Sequence, residues 1–248
     1  MKKMFKVILS ITILTSSIIS QGLYVDDLSQ GAFIDNKNSY GLSIFYGLQD
    51  QCGFQKEDGT YEGDLKSMVG EFSYLKNGNF EFSIKYSKEL FEPNNLLHLK
   101  FQRNGIGIGG TYYIKNTSLP VYFSFGGHYI QSKYDSDYMS ITEIDNYKGT
   151  KWSFNIYKNI FNKDNYLIIP FINLGIIHYG IEKGDTIPFG DELHFVLFGV
   201  INKINDNIWI TSKVGQIYGS KNKSQPEKIF TDGNLFFSIS IGTYFLQN

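Results

Sequence analysis

The chain has 248 residues, a formal net charge of −1 and an aromatic content of 17%. This near-neutral charge gives no basic surface of the kind that binds nucleic acid, so no nucleic-acid partner is expected. The single cysteine, Cys52, excludes an intramolecular disulfide and a cysteine metal cluster. The glycine-rich run at 105–110 has no strand–turn–helix context around it, so no nucleotide or other cofactor is predicted.

The N-terminus has the three parts of a secretory signal peptide. Three lysines lie in the first six residues, an apolar stretch follows at 7–14, and small polar residues occupy most of 15–20. The apolar part falls short of the ~20 residues that a spanning helix needs. We therefore predict a cleaved signal peptide at 1–20, a periplasmic N-terminal segment at 21–38 and one β-barrel domain at 39–248.

From residue 39 onward, apolar and polar residues alternate with a period of two, the pattern of strands with one apolar and one polar face. Phe80, Phe82 and Ile84, for example, alternate with Glu81 and Ser83. Charged residues at every second position would not face hydrocarbon, so they are expected to face a polar interior. The pattern predicts ten strands, at 39–47, 66–76, 79–87, 96–115, 120–131, 149–158, 166–179, 192–202, 207–219 and 234–245.

The connections between these segments alternate in length, which is typical of a transmembrane barrel with short periplasmic turns and longer outer loops. The short turns are predicted at 77–78, 116–119, 159–165 and 203–206, and the long loops at 48–65, 88–95, 132–148, 180–191 and 220–233. The sequence thus predicts an all-β, closed antiparallel transmembrane barrel with ten strands and both termini in the periplasm. Eight strands are an alternative, and twelve are another if 30–34 also pairs. Within strands, a bulge is expected at the glycines of 96–115 and another at Pro170.

The C-terminal strand carries the residues of a known assembly signal. Ser240, Gly242 and Phe245 have its spacing, although Gln247 stands where the final aromatic is usual. With the motifs at 109–114 and 119–123, this pattern resembles bacterial outer-membrane β-barrel proteins, particularly small uncharacterised families known only as outer-membrane β-barrel domains. The resemblance implies residence in the outer membrane of a Gram-negative-type bacterium, contact with outer-membrane lipid, and recognition by the barrel-assembly machinery.

Histidines are the natural candidates for catalysis in such a barrel. His128, His178 and His194 are expected toward the outer rim, and His98 is the fourth histidine of the chain. A general base must lie within hydrogen-bond reach of its partner, and spacing alone does not establish this. We predict no catalytic residue. A barrel enzyme acting on lipid or peptide through a rim histidine is the first alternative.

Six charged residues fall at inward positions and form a predicted lumenal charge network: Glu71, Glu81, Lys85, Lys100, Lys151 and Lys213. A barrel of about eight strands is filled by its own side chains, whereas water-filled porins need about sixteen. Ten strands therefore predict a narrow lumen in which these charges pair. A narrow pore, or a transporter of small hydrophobic molecules, is the second alternative.

The predicted loop at 132–148 contains Asp135, Asp137, Glu143 and Asp145 among several tyrosines. Carboxylates suit Ca²⁺, but their spacing does not match an EF-hand, so no metal site is predicted. Exposed loops on a rigid scaffold often carry binding function, which makes an extracellular ligand the expected partner. The sequence thus predicts a barrel with a structural role or a surface-interaction role through its outer loops.

Overall fold

A computed structural model of the protein describes residues 29–56, 59–93, 101–115, 118–138, 141–163, 166–181, 191–205, 207–219, 228–230 and 232–247. Ten long strands form the wall: β1 Ser39–Lys56, β2 Gly59–Lys76, β3 Phe80–Pro93, β4 Phe101–Ile114, β5 Tyr122–Tyr138, β6 Ile141–Tyr157, β8 Tyr166–Ile181, β9 Asp191–Lys203, β10 Ile208–Gly219 and β12 Asp232–Leu246. Two short strands, β7 Phe161–Lys163 and β11 Lys228–Phe230, are added to β8 and β1.

The ten long strands close into one antiparallel barrel. Each pairs with its neighbours in the order β1-β12-β10-β9-β8-β6-β5-β4-β3-β2, and β2 then pairs with β1. The prediction of a closed ten-stranded antiparallel barrel is therefore confirmed. No helix in the described ranges is long and apolar enough to cross a membrane.

The two faces of the wall differ as the alternation predicts. On β3, Phe82 and Ile84 are at least 40% exposed on the outer face, whereas Glu81 and Lys85 are at most 4% exposed and face the lumen. Lys88 lies on the same outer face as Phe82 and Ile84, further along β3, and is exposed. We call the zone of exposed apolar side chains the apolar band. It contains Tyr40, Leu42, Ile44, Tyr46, Met68, Phe72, Phe80, Phe82, Ile84, Tyr86, Ile106, Ile108, Tyr112, Phe125, Tyr129 and Trp152.

Three predicted loops are largely strand. β1 and β2 continue to Lys56 and Gly59, inside the predicted loop 48–65, and β5 and β6 continue to Tyr138 and Ile141, inside the predicted loop 132–148. β3 continues to Pro93, inside the predicted loop 88–95. These loop predictions are wrong because the alternation of apolar and polar residues marks only the part of a strand that lies in the membrane. Two strands can go on pairing beyond the membrane with polar side chains on both faces, since backbone hydrogen bonds do not depend on hydrophobicity.

The two predicted bulges are also absent from the described strands. β4 keeps one register with both neighbours through its glycines. β8 pairs with β9 through Pro170 without a shift. Pro170 lies one residue before Phe171, where the pairing with β6 ends, and its carbonyl accepts a bond from Lys158. The missing proline N–H therefore falls where the partner strand has already ended, so a bulge is not needed.

The end of the barrel with the short turns, which we call the turn end, is filled by the residues that precede β1. The alternative of a strand at 30–34 is wrong, because Gln30–Ala32 forms a 3₁₀ turn with all three residues buried. Residues 29–34, which belong to the predicted periplasmic segment 21–38, thus pack into the lumen at the turn end, whereas residues 35–37 are exposed. Two residues of this segment pack with residues of the wall in an apolar layer, which consists of Ala32, Ile34, Leu75, Tyr113, Tyr157, Leu167, Ile169, Phe171, Ile201, Trp209 and Tyr244.

Candidate functional site: the barrel lumen

The middle of the lumen holds an ion pair between adjacent strands. Lys85 Nζ of β3 lies 3.6 Å from a carboxylate oxygen of Glu71 on β2, and both side chains are mostly buried. The hydroxyl of Ser43 on β1 donates to the same carboxylate at 3.5 Å. Burying a charge is costly unless it is paired, so this geometry accounts for two of the predicted lumenal charges.

A second ion pair lies further from the turn end, and the sequence analysis did not predict it. Arg103 of β4 pairs with Glu89 of β3, and both side chains are at most 5% exposed. Glu89 falls in the predicted loop 88–95, so it was not counted as lumenal. The signal that could have found it is the continued alternation of Lys85, Ser87 and Glu89 into that range, because residues two apart share one face of a strand.

Glu81 closes the turn end of the lumen together with the N-terminal residues. Its carboxylate accepts hydrogen bonds from Tyr113 Oη at 2.8 Å and from the hydroxyl of Ser29. Gly31 lies against the Tyr113 ring so closely that a Cβ atom would come within 2.1 Å of it. Glu81 is thus held by the wall and by the N-terminal segment together.

The same segment is fixed by a lysine just beyond β4. Lys115 Nζ donates to the Ile34 carbonyl and, at 2.9 Å, to the Asp35 carboxylate. Burial lowers the pKa of Lys115, while the hydrogen bond and charge of Asp35 oppose that change.

The remaining predicted charges differ in what the structure describes. Lys151 on β6 and Lys213 on β10 are at most 2% exposed and face the lumen. Lys213 Nζ lies 5.1 Å from the centre of the Phe45 ring and 6.0 Å from that of Phe236, within the range of cation–π attraction. Lys100 lies outside the described residues.

One histidine does reach a hydroxyl. His128 Nε2 lies 2.9 Å from Ser83 Oγ, and both side chains are at most 5% exposed. His128 is seventh of the seventeen residues of β5, so it lies in the middle of the wall and not at the outer rim. A histidine bonded to a serine hydroxyl has the arrangement that lets the imidazole accept the serine proton.

The other rim candidates lie on the outer face. His194 on β9 alternates with the buried Leu193 and Phe195, so it points away from the lumen. His178 on β8 alternates in the same way with the buried Ile177, and the register sets it two positions from His194 across the strand pair. The two are thus neighbours on the outside of the wall, apart from His128. His98 lies outside the described residues.

The proposed assembly residues occupy both faces of β12. Ser240 and Gly242 point inward, and Phe245 is 54% exposed on the outer face near the turn end. Gly242 lies against Trp209, and a Cβ atom there would come within 2.2 Å of the indole ring. This glycine is therefore needed for packing in the folded barrel as well as matching the signal.

Comparison with solved structures shows the fold. The β domain of the Bordetella autotransporter BrkA is similar, with 8% identity, a TM-score of 0.52, and coverage of 84% of this chain and 99% of that one. The translocator domain of the autotransporter NalP from Neisseria meningitidis has 8% identity and a TM-score of 0.48, covering 86% and 89%. The outer-membrane protease OmpT from Escherichia coli has 7% identity and a TM-score of 0.41, covering 90% and 99%.

At these identities the likeness to BrkA carries the fold alone, and the other two carry no argument of their own. None of the family models compared with the chain matches it, and neither does any curated protein. The protein therefore has the fold of an outer-membrane β-barrel, as the resemblance of its sequence predicted, and its specific role is a separate question.

Proposed function

We propose that this outer-membrane barrel has a largely side-chain-filled lumen and acts structurally or through its outer hairpins in contacts at the cell surface. The observation that carries the proposal is the contrast between its two ends. The turn end is packed with residues 29–34 and an apolar layer, whereas β5 and β6 continue well beyond the apolar band. A closed interior with projecting strands suits a scaffold for surface contact.

The filled lumen is tested by conductance. Purified protein reconstituted in planar bilayers is expected to give no discrete current steps, since a barrel of this size is filled by its own side chains. A shortened protein lacking residues 29–34 is the matched control, because it removes the packing at the turn end. Regular current steps from the full protein would favour the narrow-pore alternative over our proposal.

The surface role is tested by trimming one hairpin. Replacing residues 135–144 with Asn-Gly keeps Tyr134 opposite Asp145 and supplies a favoured two-residue turn, so the wall remains intact. Cells expressing the trimmed protein are expected to lose attachment to an epithelial monolayer relative to cells expressing the full protein.

A matched variant distinguishes the effect of the hairpin's length on attachment from the effect of its negative charge. Asp135→Asn, Asp137→Asn and Glu143→Gln together neutralise the hairpin at full length. If the full protein and the trimmed protein attach equally well, the β5–β6 hairpin has no part in surface contact, and only the structural role remains.

Biogenesis is proposed to depend on a cleaved signal peptide at 1–20 and on the assembly machinery. Ser240, Gly242 and Phe245 match the spacing that such a machinery reads, and outer-membrane lipid would then surround the apolar band. Phe245→Ala is expected to slow assembly while leaving the lumen unaffected, since its side chain points outward. Pulse-labelled cells would show this as a longer-lived unfolded precursor.

The bond between Ser83 and His128 favours a second candidate function, a hydrolase that forms an acyl-enzyme. Ser83 Oγ would attack the carbonyl carbon of an ester or amide and pass its proton to His128, which would give that proton to the departing alcohol or amine as its bond to the acyl group breaks. Water would then hydrolyse the ester on Ser83 and release the acid. A fluorophosphonate probe is expected to label Ser83 in the folded barrel, and Ser83→Ala or His128→Gln to abolish labelling. Absence of label from the unaltered protein, with a known serine hydrolase labelled alongside, would remove this candidate.

A further inference from the structure

Three lysines lie close together on the outer face of the wall, at the edge of the apolar band that is farther from the turn end. Lys88 of β3 and Lys133 of β5 flank Asn104 of β4 in one row of the sheet, because Asn104 is paired with each of them. Lys148 of β6 is opposite Gln131, two residues from Lys133 on the same face. We call Lys88, Lys133 and Lys148 the lysine cluster.

The spacing of the strands brings the lysine cluster within reach of one small anion. Neighbouring strands are about 4.8 Å apart, so the backbones at Lys88 and Lys133 are about 10 Å apart, and Lys133 and Lys148 are diagonal neighbours at about 7–8 Å. Lysine side chains are long and flexible, and their ammonium groups bind phosphate as point charges. An anion held between them would offset their mutual repulsion.

The edge of the band carries positive charge on this side of the barrel. On β3 and β5, the next acids on the outer face lie farther from the turn end than the lysines do. Glu92 is four residues beyond Lys88, and its carboxylate is paired with Lys66 of β2. Asp135 is two residues beyond Lys133. Lysines at the height of lipid head groups favour anionic lipids, so this charge suits an anionic head group.

A groove in the outer face leads from the lysine cluster into the apolar band. It has a volume of about 420 Å³, and Lys133 lies at one end of it. Ile106 and Ile108 of β4 line the groove between Tyr86 of β3 and Tyr129 of β5. These four side chains are 44–57% exposed, so the groove is open to the surrounding hydrocarbon.

A second groove, of about 860 Å³, adjoins the first at Tyr129 and continues toward the turn end. Gly110 and Gly127 are opposite each other in this groove, and neither has a side chain to fill it. Trp152 borders the groove and is 59% exposed, and a Cβ atom at Gly127 would lie 2.8 Å from its indole ring. The two grooves together form one apolar path along the lipid face.

We propose that the lysine cluster and the two grooves bind one anionic lipid that has a phosphate head group. The ammonium groups hold the phosphate oxygens, and an acyl chain lies in the grooves against Tyr129 and Trp152. The cluster selects an anion, and the grooves select a lipid over a soluble anion. In the orientation that we propose, this lipid belongs to the outer leaflet. The site goes beyond the surface role proposed above and does not depend on it.

Tryptophan fluorescence tests the site, because Trp152 borders the second groove whereas Trp209, the other tryptophan of the chain, is buried at the turn end. The protein is refolded in phosphatidylcholine vesicles that contain increasing fractions of phosphatidic acid with brominated acyl chains, which quench nearby tryptophan. Brominated phosphatidic acid is expected to quench at a mole fraction at least about fivefold lower than brominated phosphatidylcholine does, the factor that one lysine near an anionic surface contributes. Trp152→Phe is expected to remove the response.

Neutralising the lysine cluster is expected to abolish the preference, so that the two brominated lipids quench equally. This variant combines Lys88→Gln, Lys133→Gln and Lys148→Gln, and arginine at the same three positions is expected to keep the preference. The matched control removes the same net charge from exposed lysines at the turn end and is expected to keep the preference, with Lys37→Gln, Lys76→Gln and Lys158→Gln. If the neutralised cluster does not refold, Lys88→Gln alone is expected to reduce the preference in part.

Inorganic phosphate distinguishes a lipid from a free anion. Added at an ionic strength matched with chloride, it is expected to leave the quenching by brominated phosphatidic acid unchanged. Reversal of the quenching would mean that the lysines hold a soluble anion and that the grooves hold no chain. Equal quenching by the two lipids in the unaltered protein, or an equal loss of preference in the turn-end control, would likewise overturn the proposal.

Discussion

At the scale of single residues, what a side chain contributes depends on which face of the wall it occupies. Ile241 and Ser240 are adjacent in β12, yet Ile241 is 53% exposed on the outer face and Ser240 is 3% exposed toward the lumen. That difference follows from the period of two, so it was predictable from the sequence. The partner of an inward residue was not, because the alternation assigns each residue a face but does not fix the register that sets which inward residues of neighbouring strands lie side by side.

Ile241→Lys is expected to destabilise the barrel by about 2–4 kcal/mol, because it places a charge on the outer face directly opposite Ile44 of the apolar band. Gln131→Lys is the matched control: Gln131 is exposed on the outer face above the band, where the cost is about 0–1 kcal/mol. Reversible unfolding in urea with lipid vesicles measures both. Equal costs would contradict the facing of β12 or the upper edge of the band.

Lys115 predicts a pH dependence of stability. Burial lowers its pKa in the folded protein below the usual 10.5, so between these two values the unfolded chain binds more protons. Stability is therefore expected to rise with pH through that window and to be flat, with respect to this group, below it. The difference in unfolding free energy between the protein and Lys115→Met, measured across the window, should show the rise. A difference that falls with pH would show that Asp35 outweighs burial.

At the scale of strands and turns, the sequence predicted the membrane-embedded parts better than the ends above them. The short turn at 77–78 is confirmed: Asn77 and Gly78 both have positive φ, at 52° and 70°, and Asn79 donates to the Lys76 carbonyl. Asn-Gly is the usual pair for such a turn. The upper ends of β1, β2, β5 and β6 were not predictable, since no change of medium marks where two strands stop pairing in water.

Gly78→Ala is expected to cost about 1–3 kcal/mol, the usual cost of a non-glycine residue in a left-handed conformation. The substitution adds a clash, because a Cβ atom at Gly78 would lie 2.4 Å from the Asn36 backbone nitrogen. Gly70→Ala is the control, since the same change there meets open space. Urea unfolding of the two variants should separate them, and similar costs would mean that the turn adapts easily.

At the scale of the whole molecule, the barrel, its strand number and its facing were predicted, whereas the contents of its turn end were not. Tyr113, Tyr157 and Trp209 lie in inward positions and form an apolar layer in a lumen predicted to be polar. The reason is that residues 29–34 bring their own apolar side chains into the barrel. A period-two pattern describes a wall and carries no information about a segment that packs inside it.

The height of the apolar band predicts a preference for thin bilayers. On β3 the band runs over the seven residues from Phe80 to Tyr86, with the charged Lys88 next on that face. Seven residues span about 23 Å along a strand, and less along the membrane normal because barrel strands tilt by about 35–45°. Refolding yield is therefore expected to be higher in short-chain than in long-chain lipid vesicles. Yields independent of chain length would contradict this band.

The strands differ in how far they extend beyond the membrane, and this difference determines which part of the protein is most accessible from outside the cell. The eighteen residues of β1 and of β2 correspond to about 60 Å of strand, and even when tilted they rise well past a hydrocarbon layer of about 25 Å. In the orientation that we propose, with the turn end toward the periplasm, antibodies and phages outside the cell would meet the tips of the β1–β2 and β5–β6 hairpins first. Amino-acid substitutions that prevent the binding of antibodies or phages can therefore accumulate at those tips without disturbing the part of the protein that lipid surrounds.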